Sequence, residues 1–143
     1  MIRSIATASL LMTATMAMAQ DIKATNAYVP QSPPGSMAQA AYMKLENTTN
    51  RLRSVIGVEA VGYGMAHLHM SESKDGIATM SMVHQLDLAP GQSVVLQPGS
   101  LHIMLMRPET PAKVGDVVDL KLLFADGETL NVAAEVKTRQ SGS

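Results

Sequence analysis

The feature that most limits how this chain can fold is its punctuation. After the first twenty residues, turn-forming clusters recur at intervals of about ten residues, a spacing suited to short strands. They are PQSPPGS at 30–36, ENTTN at 46–50, a polar run at 71–76 ending in Asp75-Gly76, APGQ at 89–92, QPGS at 97–100 and Asp126-Gly127. Proline has no N–H to give to a central ladder, and glycine accepts the backbone angles that tight turns need. Between the clusters lie short apolar or alternating segments at 22–29, 38–45, 52–60, 65–70, 77–86, 94–96, 101–106, 117–124 and 129–136. None sustains a helical period. The pattern predicts an all-β fold, an antiparallel sandwich or barrel, with Asp126-Gly127 as its strongest hairpin signal. No repeat or linker divides it, and the turn residues around Glu128 read as solvated surface.

Residues 1–19 read as a signal peptide. MIR gives a positive start, ASLLMTATM an apolar run too short to span a bilayer, and Ala17-Met18-Ala19 a small-residue cleavage box. Residues 20–143 then form a single exported domain, most simply periplasmic.

Composition removes several functions. A formal net charge of −1 gives no basic field for nucleic acid or anionic lipid. Aromatic residues make up 3% of the chain and Trp is absent, which argues against stacking platforms for bases or sugars. With no cysteine there are no disulfides, thiolate ligands or thiol nucleophiles.

What remains is concentrated. Residues 64–106 hold all 4 histidines and half of the 12 methionines. Strand alternation puts side chains at i and i+2 on one face, so His67 and His69 share a face, as do Met80, Met82 and His84, and as do His102 and Met104. Leu101, Ile103 and Leu105 point to the other face. Imidazole and thioether without thiolate or carboxylate select a soft monovalent ion, Cu(I), with Ag(I) its nearest mimic; Zn²⁺, Mg²⁺ and Ca²⁺ want other donors. A blue-copper centre needs a cysteine, so that redox assignment is excluded. Methionine is also a common filler of cores, so Met43, Met65 and some of Met70, Met82 and Met106 have packing as the plainer explanation.

The spacing resembles the PCuAC family of periplasmic copper chaperones, whose pattern is His, ten residues, Met, twenty-one residues, His-x-Met. His69, Met80, His102 and Met104 match it without a gap. AYVPQSPPGSMAQAAYMKLENTT at 27–49, LQPGSLHIMLM at 96–106 and GDVVDLKLLFADGETLNVAAEV at 115–136 are similar to the family as well. The resemblance implies a cupredoxin-like antiparallel Greek-key β-sandwich that binds Cu(I) through those four residues. It also implies a partner, a copper acceptor in cytochrome c oxidase assembly, often the CuA centre. Ser100 stands where the family often has a second glycine. The tail at 138–143 lacks the Met/His-rich extension that suits Cu(II) in some members.

The expectation is therefore a monomeric, non-enzymatic metallochaperone. Copper or silver buffering without a dedicated acceptor fits the same residues. A copper oxidase, a hydrolase or a plain adhesion-type sandwich fits them less well, since no nucleophile–base pair is visible and soft ligands would saturate the ion.

Overall fold

The computed structural model describes residues 21–139, so the signal peptide at 1–19 lies outside the described residues. These residues form ten strands and no helix: β1 (Ile22–Pro30), β2 (Ala38–Asn47), β3 (Arg53–Ala60), β4 (Tyr63–Lys74), β5 (Ile77–Met82), β6 (Leu86–Leu88), β7 (Ser93–Leu96), β8 (Leu101–Pro108), β9 (Val117–Phe124) and β10 (Thr129–Lys137). They pair in the order β5-β4-β8-β2-β1-β10-β9-β3-β6, and β7 also pairs with β2. Every pairing is antiparallel except β1 with β10, where Tyr28 lies opposite Glu135 and Val29 opposite Val136. The all-β expectation is met, with that one parallel pair in a mixed sheet.

Alternation explains the core. In β9, Val118, Leu120, Leu122 and Phe124 are buried while Val117, Asp119 and Lys121 face solvent; β10 repeats the pattern with Leu130, Val132, Ala134 and Val136. β2 joins the two parts of the sheet. Its first half (Ala38 to Ala41) pairs with β8 and its second half (Met43 to Glu46) with β7. Leu68, Ile103 and Leu105 from β4 and β8 therefore enter the same apolar cluster as Leu45, Val55 and Leu122. Burying a side chain of this size contributes on the order of 1.5–3 kcal/mol, so these two strands are firmly anchored on their inner face.

Two polar groups hold the far end. Asn47, fully buried, donates from Nδ2 to the carbonyls of Arg51 (2.8 Å) and Leu88 (2.8 Å) and accepts from the Thr49 hydroxyl at 2.6 Å. Buried Arg53 meets Asp21 at 3.1 Å and Glu128 at 2.6 Å and stacks on Phe124. Glu128 is thus an ion-pair partner rather than plain solvated surface.

Several strand boundaries differ from the sequence expectation, and three of the differences bear on the site. β4 continues through Ser71–Lys74, residues expected in a turn, and only Asp75 and Gly76 turn the chain. Both have positive φ (53° and 76°), the combination required by a two-residue type I′ hairpin loop, and Asp-Gly supplies it. The segment expected as one strand at 77–86 ends at Met82, although the Val83 N–H still donates to the Leu68 carbonyl at 2.8 Å, and a separate short strand, β6, begins at Leu86. β8 runs on to Pro108.

Candidate metal centre

The tight Asp75-Gly76 turn fixes the register of β5 against β4, with Lys74 opposite Ile77, Ser71 opposite Met80 and His69 opposite Met82. A slip of one residue would turn both methionines to the other side. On the opposite flank, β4 and β8 pair with His69 opposite His102, His67 opposite Met104 and Met65 opposite Met106. Residues directly opposite in a ladder share a face. The outer face of β5-β4-β8 is therefore a grid of soft donors, and its inner face carries Leu68, Leu101, Ile103 and Leu105 in the core.

The four residues matched by spacing, His69, Met80, His102 and Met104, all lie on this outer face. The two imidazoles occupy one row, with rings 5.9 Å apart at 65°. Met104 sits one rung beyond them on β8, and Met80 one rung the other way on β5. The methionine directly across from His69 is Met82, not Met80. His84, expected to share the face of Met80 and Met82, does not extend the row, because the strand has ended at Met82; it is exposed. His67 stacks parallel to His69 with centroids 6.3 Å apart.

His102 is the informative residue. It is 4% exposed although it belongs to the outer face, with the Tyr42 ring at 6.5 Å on one side and His69 on the other. Its Nδ1 lies 3.0 Å from the Ser100 carbonyl, which can only accept, so Nδ1 carries the proton and Nε2 presents a lone pair. That nitrogen is buried without a partner, as are both ring nitrogens of His69. Orphaned buried nitrogens are costly unless something binds them. A carbonyl fixing the tautomer through the other ring nitrogen is the arrangement found around metal-bound histidines.

Electrostatics point the same way. Burial, then His102, then His67 hold the His69 imidazole below its usual range, so it stays neutral and able to donate. Among the described residues no group of three or more His, Cys, Asp or Glu side chains is placed to hold a metal ion, which disfavours a hard divalent ion. With imidazole and thioether as the donors, the residues present fit Cu(I).

Access is open on two sides. Met80 and Met82 are 53% and 46% exposed on an edge strand that only β4 holds. Met104 lines a cleft of about 810 Å³ with Tyr28, Tyr42, Lys137 and Arg139. Burial first, then Tyr28, raises the Tyr42 hydroxyl's pKa, with Arg139 opposing, so Tyr42 remains a neutral wall of that cleft.

Residues 22–136 match the family described as putative lipoprotein LpqE-like. The copper-bound PCuAC domain from PmoF2 superposes with a TM-score of 0.70 at 20% identity, covering 84% of this chain and 95% of that one. The Cu(I) form of DR1885 from Deinococcus radiodurans is 35% identical, with a TM-score of 0.64 over 79% of this chain and 76% of that one. The chain belongs to the PCuAC family. Its sandwich is cupredoxin-like, as the resemblance implied. A further relative, the putative lipoprotein Lxx21020 of Leifsonia xyli subsp. xyli, is 31% identical over 83% of this chain and 71% of its own length.

Proposed function

We propose that this PCuAC protein is an exported, non-enzymatic metallochaperone that carries one Cu(I) on the outer face of β5-β4-β8 and passes it on by ligand exchange. The observation that carries this reading is the His69–His102 pair, whose buried ring nitrogens have no protein partner while Ser100 fixes the His102 tautomer. The copper-bound state of the PmoF2 domain and the Cu(I) state of DR1885 support the choice of metal.

In this reading His69 and His102 hold the ion, and Met104 and Met80 complete the set from the adjoining rungs. Thioether bonds are neutral and individually weak, so an acceptor's thiolate or imidazole displaces them one at a time. Exposed Met80 and cleft-lining Met104 are the ligands an acceptor reaches first, and the buried His102 is the last to let go. The acceptor on this reading belongs to cytochrome c oxidase assembly, and the CuA centre suits it because its thiolates outcompete thioethers for a soft ion. Export to the periplasm fits both the signal-like start of the sequence and the lipoprotein description of the family.

The test is Cu(I) titration against a competing chelator. His102→Ala and Met104→Ala should each lower affinity by more than about tenfold, a loss of about 1.4 kcal/mol or more. Unchanged affinity in either variant overturns the assignment. Loss of oxidase activity on gene deletion, restored by added copper, supports delivery; metal sensitivity alone supports buffering.

A further inference from the structure

The grid of donors does not stop at the four residues of the proposed centre. One rung past the His69–His102 row, His67 stands across from Met104, and one rung further Met65 stands across from Met106. Met65, His67, Met104 and Met106 thus share the outer face. Met65 is 36% exposed, and Met106 and His67 are half-buried, so none is spent on the apolar core, which takes the opposite face of the same strands. Two methionines paired across a solvent-facing ladder, with an imidazole on the next rung, form a donor set of the same soft character as the first.

We propose that Met65, Met106 and His67 form a second soft-metal site, distinct from the site built on His69 and His102 and weaker than it. This rests on the copper-binding reading above and extends it. Directly opposite residues have Cβ atoms about 4.5–5.5 Å apart, within bridging distance for two thioethers on one ion. His67 follows Met65 by two residues, about 7 Å along the strand and on the same face. The side chain of Arg107 packs where a Cβ of Gly64 would project, on the other side of the strand from Met65, so that cation does not crowd the site. No carboxylate lies in these rungs, so the site selects Cu(I) or Ag(I) and not a hard divalent ion.

Its place in the grid gives it a role. His67 stacks on His69, and Met104 lies between the Met65–Met106 pair and the His102 row. An ion received at the exposed pair can move one rung at a time to the buried histidines, exchanging one ligand per step. With three ligands and more solvent, the outer site releases the ion readily, which suits a loading position.

The probe is Ag(I), which needs no reductant, titrated into protein carrying ¹³C-methyl methionine and followed by NMR of the assigned methyls. The first equivalent should shift Met80 and Met104. A second equivalent, bound at least about tenfold more weakly, should shift Met65 and Met106. The volume-conserving Met65→Leu/Met106→Leu protein should bind one equivalent with unchanged affinity and show no second event. Binding of one equivalent only by the unmodified protein overturns the second site and leaves the chaperone reading intact. A second event that shifts Met82 and leaves Met65 and Met106 in place overturns it as well. Absence of any Ag(I) binding overturns both.

Discussion

His69 and His102 stand directly across from one another on β4 and β8, with ring centroids 5.9 Å apart and three of their four ring nitrogens buried without a partner. Two facing imidazoles in one cross-strand row set the centre of the site to within a side chain's reach. The inner faces of the same strands lock this geometry, since Leu68 and Ile103, each next in sequence to one of the histidines, are in the core. The methionines are held less firmly. Met80 lies on an edge strand with every residue exposed, so the site joins a fixed imidazole pair to thioethers on an easily displaced element.

The pH dependence follows from His69. Its imidazole titrates below the usual value near 6.5, mainly through burial, so the unfolded chain takes up this proton first. A group depressed in this way costs nothing above about 6.5 and destabilises the folded apo protein as pH falls below that value. The difference in unfolding free energy between wild type and His69→Asn should therefore be flat from pH 7 to 8 and shift in favour of the variant below about 6.5. Copper affinity should also fall with acid, because protons compete for the imidazoles. Urea melts of both proteins across that range check the first expectation, and a pH-independent difference contradicts it.

Local signals carried much of this structure. β9 was legible to the residue because strict alternation meets an Asp-Gly turn, and so was the sharing of one face by His102 and Met104. Non-local features were not legible. No residue announces that β1 pairs in parallel with β10, because that choice is made by strands distant in sequence. The continuation of β4 through Ser71 to Lys74 was hidden because those residues never touch the core, and only pairing with β5 makes them a strand. The same length sets the register that puts Met82 across from His69. His84 was misplaced because the apolar alternation of 77–86 gives no hint that β5 stops at Met82 and that a separate strand, β6, starts at Leu86 and pairs with β3. The burial of His102 on the outer face involves Tyr42, which the long-range pairing of β2 with β8 brings beside it and which no local signal announces.

The Asp75-Gly76 turn should matter more for copper than for stability. Gly76 has a φ of 76° with nothing within 4 Å of a Cβ, so a substitution there is opposed by backbone angle and not by space. Gly76→Val places a β-branched residue in that conformation, at a cost of about 1–3 kcal/mol within the hairpin. Because β5 is exposed throughout, the hairpin can loosen without unfolding the core. The expected result is a small change in global melting temperature together with a several-fold loss of Cu(I) affinity, measured by chelator competition. An equal loss in a protein already lacking Met80 and Met82 would show that the turn acts by another route.

Peroxide should strike the site before the core. Thioether oxidation to sulfoxide replaces a soft sulfur donor with a polar group, and it follows exposure. Met80 at 53% and Met82 at 46% exposure should oxidise well ahead of Met43 at 2%. Peptide mapping after graded peroxide should show that order, with Cu(I) affinity falling in step with Met80 oxidation. Methionine sulfoxide reductases of both stereochemical types should restore it. Full copper binding by protein oxidised at Met80 would remove that residue from the ligand set.

Stability should be separable from the site at Asn47. This side chain is fully buried and clamps the carbonyls of Arg51, Leu88 and Ala89, while its Oδ1 accepts from the Thr49 N–H at 3.0 Å and the Thr49 hydroxyl at 2.6 Å. The main-chain N–H of Asn47 also donates to Gln92 and its carbonyl accepts from Gly91, which ties the 47–51 and 89–92 turns together. Asn47→Ala leaves those main-chain bonds in place but removes the side-chain bonds to the carbonyls of Arg51, Leu88 and Ala89 and to the N–H of Thr49. Each unsatisfied buried group costs about 1–3 kcal/mol, and the turns regain some of this from water, so a net loss of about 2–3 kcal/mol is expected. At roughly 4 °C per kcal/mol for a domain of this size, the melting temperature should fall by about 8–12 °C. The affected turns adjoin the β2–β7 half of the sheet and not the β4–β8 ladder, so the folded variant should bind Cu(I) as wild type does. A parallel loss of affinity in fully folded Asn47→Ala would mean that the far turns and the histidine row are coupled through β2.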